Sequence, residues 1–390
     1  MNTELTPKET SELLRHIINT NIKLAEQGKH TVSVCIEGQA GISKSSIVKE
    51  LSSEKDFHFI RLNMAEMDST GDLTGFPITQ YSMSKNNETI WISDRLFNYY
   101  GNLGYKPTNE SRMSYAKPEW LVGKEDKPVI LLLDDYNRGL NMILQAAMRI
   151  VDEQGYVSWE LPKGSTVILT TNPSGDDFLI TEMDSAQSSR FLLVKMKASV
   201  ENWASWAEGK VDERCINFLL KTKEVIEIDR FSKNEDASKT KANLRIWTKF
   251  FDSISTISDF NHNWNLIFNL GQNSIPIDHL MLFNTFIKDK LDKLPTVENI
   301  LNNDIDKTLE TLSKITKDRV DLSSLISKRL LNYFDSNYKN FTPSMLSNYV
   351  KILESSILNK DLTFFAIKEI NKKKPDVILK NEKLREKLLV

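Results

Sequence analysis

The chain has 390 residues, which at roughly 100–200 residues per domain leaves space for two or three domains. Hydrophobic residues make up 40% and charged residues 27%, with only 14 Gly and 11 Pro, a composition that excludes a disordered, collagen-like or low-complexity chain. Lysine and arginine total 51 against 53 acidic residues, so a net charge of −2 creates no global field that would recruit nucleic acid or an anionic membrane.

Cys35 and Cys215 are too few and too far apart for a disulfide framework or a cysteine-based zinc site, which fits a reducing compartment; the expected location is the cytosol. The first residues lack a basic segment followed by an apolar one, and no run reaches the ~18 apolar residues of a spanning helix, so neither secretion nor membrane insertion is expected.

Leu13, Leu14, Ile17, Ile18, Ile22 and Leu24 recur at three and four spacings and predict an amphipathic helix over 8–28. The β-branched run Thr31–Glu37 predicts a strand, followed by a glycine-containing loop and a helix. Phe57–Leu62, Val129–Leu133 and Thr166–Thr170 are further short apolar runs with helical patterns before or between them, which predicts a mostly parallel sheet covered by helices on both faces. The segment 81–127 is rich in Asn, Ser, Lys and Tyr, too long for an ordinary connection, and reads as an insertion. After about residue 198 no strand pattern remains. Trp203, Trp206, Phe218, Leu219, Ile246, Trp247, Phe250 and Phe251 sit at helical spacings, with Trp203, Trp206 and Trp247 expected in a helical core. A Lys/Asp/Asn-rich stretch with Pro295 marks a junction near 285–300, before a last helical region that ends in the Lys372-Lys373-Lys374-Pro375 break. The expected domains are an α/β core over 1–198, a helical lid over 199–288 and a helical region over 289–390.

The loop Gly38-Gln39-Ala40-Gly41-Ile42-Ser43-Lys44-Ser45, with Ser46 behind it, approximates the phosphate-loop pattern of Gly, four residues, Gly, Lys, Ser/Thr. Backbone N–H groups of such a loop and the positive end of the next helix hold phosphate oxygens; Lys44 would face the β and γ phosphates and Ser45 would ligate Mg²⁺. Ser43 stands where a second glycine is expected, and its Cβ brings strain if the position needs a positive φ. The strand Val129–Leu133 ends in Asp134 and Asp135, a Walker B-like pair in which Asp134 would hold the Mg²⁺ shell and Asp135 polarise a water. The second acid of such a pair is usually Glu, and the shorter Asp135 suggests slow hydrolysis. The third strand ends in Asn172, suited to orient that water, and Arg190-Phe191 opens another apolar run.

With these pieces in order, the chain resembles the MoxR-like branch of the AAA+ ATPases, which also holds cobaltochelatase ATPase subunits and activators of certain metalloenzymes. The resemblance rests on Leu131-Leu132-Leu133-Asp134-Asp135-Tyr136-Asn137-Arg138-Gly139, on Asp72-Leu73-Thr74-Gly75-Phe76-Pro77, on Gln145–Met148 with Glu153–Val157, and on Val200–Ala207 at the start of the lid. Asn243-Leu244-Arg245-Ile246-Trp247 matches a sensor-2 helix start without its usual proline. The likeness covers about 1–255. It implies a P-loop NTPase core with a helical lid, ATP and Mg²⁺ as cofactors, Arg245 touching the nucleotide of its own subunit, and Arg190 reaching the nucleotide of a neighbour in a homo-oligomeric ring, commonly a hexamer. It further implies remodelling of a partner protein, with a chain that carries a von Willebrand-type domain as the candidate the family suggests.

Other readings stay open: an accessory or loader ATPase acting on nucleic acid, which is not favoured, or a nucleotide-binding structural ring with weak hydrolysis. Arg138 reads equally as an interface contact or a surface arginine. Phe76 and Trp91 are read first as core plugs and second as pore-facing grips. The scattered histidines give no metal spacing, so no metal beyond Mg²⁺ is expected.

Overall fold

A computed structural model of the chain describes residues 4–54, 56–173, 181, 183–226, 242–289, 294–317, 319–355, 357–358, 360–379 and 381–389. It divides into two compact units, Met1–Lys197 and Ala198–Val390.

The first unit opens with α1 (Pro7–Glu26), whose N-cap Thr6 forms a reciprocal capping box with Glu9. Then follow β1 (Val34–Glu37), α2 (Lys44–Ser53), β2 (His58–Asn63) and the short α3 (Thr70–Thr74). Next come β3 (Pro77–Lys85), β4 (Glu88–Ile92), α4 (Phe97–Asn102) and β5 (Lys106–Tyr115). The unit closes with β6 (Val129–Asp134), α5 (Asn141–Glu153), β7 (Gly155–Tyr156), β8 (Trp159–Glu160), β9 (Thr166–Thr171), α6 (Ser185–Ser188) and β10 (Leu192–Lys195).

Five strands form one parallel sheet in the order β10-β1-β9-β6-β2, the parallel sheet expected from the alternation of apolar runs and helices; with the phosphate loop after β1 it is a P-loop NTPase core. Leu131, Leu133, Val167 and Leu169 pack on one face against Ile143, Leu144, Ala147 and Ile150 of α5. Strand side chains alternate between faces, and Ile130, Leu132 and Ile168 on the other face are equally buried, so water reaches neither side. That burial makes these strands continuous apolar runs rather than alternating ones.

The expected insertion folds as a three-stranded antiparallel sheet, β4-β3-β5, beginning at Pro77 rather than 81. Its β3–β4 hairpin is closed by Asn86 and Asn87, both at positive φ. Gly75, at φ 81°, makes the turn into β3; a Cβ there would lie 1.8 Å from the Ala116 carbonyl oxygen. Phe76, next to it, is 62% exposed, which corrects the core-plug reading. Trp91 is half-buried, with the Arg112 guanidinium 4.5 Å from its ring centroid, again a surface stack rather than a plug.

The second unit is helical throughout its described residues. It runs through α7 (Val200–Ala207), α8 (Glu213–Lys221), α9 (Leu244–Ile254), α10 (Trp264–Gly271) and α11 (Ile277–Lys288). It continues through α12 (Val297–Asn302), α13 (Ile305–Thr316), α14 (Val320–Asn337), α15 (Pro343–Glu354), α16 (Lys360–Lys373), α17 (Pro375–Leu379) and α18 (Glu382–Leu389). One core gathers Trp203, Phe218, Trp247, Phe251 and Phe283; a second gathers Phe334, Phe341, Tyr349 and Ile367. Helix α14 contributes Leu325 to the first and Phe334 to the second. Trp206 does not join its expected core: it is 46% exposed, with Lys210 against its ring. No helix among the described residues is long and apolar enough to cross a membrane.

Candidate functional site

The loop 38–43 leaves the C-terminal end of β1 and runs into α2. Gly41 has φ 84° and Ser43 φ 74°, so Ser43 occupies the left-handed region that a glycine would fill without strain. The Lys44 ammonium folds back into the loop, donating to the carbonyl oxygens of Gly38 (2.6 Å) and Gln39 (2.8 Å), and to Asn172 Oδ1 at 3.3 Å. Gly38 itself packs against backbone: a Cβ there would come 2.6 Å from the Met196 carbonyl oxygen.

Strands β6 and β9 deliver the remaining groups to the same sheet edge. Ser45 Oγ donates to Asp134 Oδ1 at 2.6 Å, and the Thr170 hydroxyl donates to the same oxygen. Arg61 Nε donates to Asp134 Oδ2 at 2.7 Å. Burial of Asp134, only 4% exposed, works to raise its pKa, but the Ser45 and Thr170 hydroxyls and the Arg61 charge outweigh it and hold the carboxyl below the ordinary aspartate range. Asp134 is therefore ionised at neutral pH, and a solvated strand-end acid is excluded. A hydroxyl and an ionised carboxylate oxygen within hydrogen-bond distance of each other are hard oxygen donors that suit Mg²⁺.

Asp135 differs in every respect. Its side chain is 36% exposed, its backbone is left-handed (φ 49°, ψ 42°), and its Oδ1 accepts from Asn172 Nδ2 at 3.0 Å. Its backbone N–H donates to Thr170 Oγ1 at 3.0 Å, so one threonine hydroxyl fixes both acids. Asn172 in turn is clamped by Asn137: Asn137 Nδ2 donates to the Asn172 carbonyl (2.8 Å) and the Asn172 N–H donates to Asn137 Oδ1 (3.1 Å). Lys44, Asn172 and Asp135 thus form one hydrogen-bonded chain. Arg138 Nη1 stands 3.9 Å from Asp135 Oδ2.

Arg61, Asn137 and Thr170 take part without having been singled out by the sequence reading. A charged residue inside the otherwise apolar run Phe59–Leu62, one strand away from the acids, was the available signal for Arg61.

One candidate of the first unit stands apart from this cluster, and another belongs to the second unit. Arg190 precedes β10, which runs parallel to β1 with Val34 opposite Leu192 and Glu37 opposite Lys195. The loop leaves the far end of β1, so the span of a four-residue strand, about 13 Å at ~3.3 Å per residue, separates the two. Arg190 Nη1 instead donates to Asp152 Oδ2 at 2.7 Å, beside an open cleft of about 500 Å³ that also borders His30 and Ser33. Arg245 lies in the second unit, exposed, in the first turn of α9, whose N-cap Asn243 accepts from the Ile246 N–H.

No family model matches the chain. Among curated proteins, Autophagy-related protein 17 of Kluyveromyces lactis is 27% identical over 190 residues, 46% of this chain and 39% of that protein. The match thus spans about two fifths of that relative's length. Among solved structures, the RuvB Holliday junction branch migration motor of Thermotoga maritima is 11% identical over 80% of this chain and 76% of that one, with a TM-score of 0.32. A putative ATPase from Cytophaga hutchinsonii is 15% identical over 88% of this chain and 87% of that one, with a TM-score of 0.28. Likeness at these levels carries nothing about function, and the fold assignment rests on the strand order and the loop.

Proposed function

We propose that the chain is a Mg·ATP-dependent AAA+ ATPase, similar to the MoxR-like branch, that assembles as a homo-oligomeric ring and remodels a partner protein. The observation that carries the ATPase reading is the chain of hydrogen bonds Lys44–Asn172–Asp135 beside the Ser45–Asp134 pair, at the sheet edge where a parallel α/β fold presents its ligands.

The loop N–H groups and the start of α2 take phosphate oxygens, and Lys44 adds the cation. Ser45 and Asp134 would hold Mg²⁺, which when bound neutralises charge on the phosphoryl oxygens. Asn172 offers an amide N–H to a water, and Asp135, half-exposed and already fixed by that amide, would accept the proton the water loses as its oxygen bonds to the γ-phosphorus, while the bond from that phosphorus to the bridging oxygen breaks and ADP leaves. Arg190 cannot reach this point from the opposite sheet edge. Its place suits a guanidinium supplied to the site of an adjacent copy, where it would stabilise the charge of phosphoryl transfer.

Calorimetry on Lys44→Ala tests the site. The expected result is a loss of Mg·ATP affinity of about a hundredfold or more, since one charge-assisted contact to phosphate disappears from the cradle. Affinity equal to the parent's would mean that the loop is not a phosphate site.

A further inference from the structure

Arg61 sits on β2, an edge strand of the parallel sheet. Its side chain is 55% exposed, yet its guanidinium is committed to a carboxylate that is almost fully buried: Nε and Nη2 lie 2.7 and 2.5 Å from Asp134 Oδ2. The two oxygens of Asp134 have separate donors, hydroxyls of Ser45 and Thr170 on Oδ1 and the guanidinium on Oδ2. The hydroxyls are neutral. Among the described residues Arg61 is thus a full positive charge in direct contact with this acid, whereas the Lys44 ammonium donates to Gly38, Gln39 and Asn172.

An ionised carboxylate next to a phosphate cradle repels the polyanion the cradle is built to take. Low local dielectric magnifies that repulsion, and a fixed countercharge removes most of it. We propose that Arg61 is a built-in counter-ion of the metal-binding carboxylate, neutralising Asp134 whenever the divalent cation is absent and so letting a nucleoside triphosphate enter the cradle without it. Arg61 acts through Asp134 and is a positioning residue. The inference rests on the reading of this site as a Mg·ATP site.

The test is a fluorescence titration with N-methylanthraniloyl-ATP, in excess EDTA and in millimolar MgCl₂, of the parent, Arg61→Ala, Arg61→Lys and Lys44→Ala. Removing the countercharge is expected to weaken binding about tenfold in EDTA and by less than about threefold in MgCl₂, where the metal replaces it. Arg61→Lys keeps a positive charge and is expected to retain most of the EDTA affinity, which also guards against a folding defect in the alanine variant. Equal losses in both buffers would make Arg61 a direct phosphate contact and overturn the proposal. So would unchanged binding in both buffers, or a parent that binds only with Mg²⁺. Failure of the underlying reading looks different: the parent binds in neither buffer, or Lys44→Ala binds as well as the parent.

Discussion

Ser43 carries a Cβ in a conformation that costs L-residues roughly 1–2 kcal/mol, and its side chain makes no capping hydrogen bond in return. Ser43→Gly relieves that strain but gives the unfolded chain more freedom, so the net gain expected in a denaturant titration is up to about 1 kcal/mol, with Mg·ATP affinity kept or tightened. A loss of stability would mean that the serine is favoured by a contact other than a cap. Asn137 makes the opposite case, a residue whose two amide groups close a reciprocal pair with the Asn172 backbone. Asn137→Ala leaves a buried N–H and carbonyl without those partners. It is expected to cost about 1–3 kcal/mol in unfolding free energy and to lower turnover more than nucleotide affinity, because Asn172 holds Asp135, the acid proposed to activate the water. A variant that turns over at the parent rate would show that Asn172 needs no clamp.

At the scale of elements, β1, β6 and β9 were legible because burial on both faces turns each into an apolar run ending in chemistry-bearing residues. The position of the lysine break was legible, since α16 ends at Lys373, but the helical region does not end there: α17 begins at Pro375 and α18 follows. The sheet β4-β3-β5 was not, because β5 (Lys-Pro-Thr-Asn-Glu-Ser-Arg-Met-Ser-Tyr) is almost wholly exposed and shows no apolar face. The Asn86-Asn87 pair was the one local sign of its hairpin. Arg61 and Thr170 were hidden for another reason: their roles come from the register of neighbouring strands, which a single sequence does not display. Trp206 misled because helical spacing fixes a face but not whether that face is covered.

The helices of the second unit carry a buried charge cluster of the same non-local kind. Arg329 of α14, 1% exposed, pairs with Glu213 of α8 and donates to the Pro295 carbonyl at 3.0 Å. Nearby, burial raises the Glu208 pKa to about 7; the Arg329 charge opposes the rise, and Glu213 and Glu298 add to it. A carboxyl raised from its ordinary 4.5 holds more protons folded than unfolded, so its contribution to stability is complete below pH 4.5 and is lost as pH rises through 7. With partial solvent exposure, Glu208→Gln is expected to raise unfolding free energy at pH 8 by roughly 1–2 kcal/mol, with little difference near pH 5. Equal stabilities of variant and parent across that range would contradict the assignment.

At the scale of the whole molecule, the parallel sheet separates two groups of candidate residues. The cradle, both acids and Asn172 gather at one edge, whereas Arg190 is held by Asp152 at the other. On the proposed reading, a second copy that brings its Arg190 edge to the cradle of the first completes the site, which would couple turnover to assembly. The central claim is thus hydrolysis at an interface between copies. It is tested most directly by mixing Arg190→Ala with Asp135→Asn, two variants each expected to bind Mg·ATP and neither to turn it over, after energy transfer between labelled chains has shown that subunits exchange. In mixed assemblies some interfaces pair an intact acid with an intact arginine, and phosphate release should reappear there. Exchanged assemblies that release no phosphate at any ratio would contradict the claim and leave Arg190 as a structural partner of Asp152.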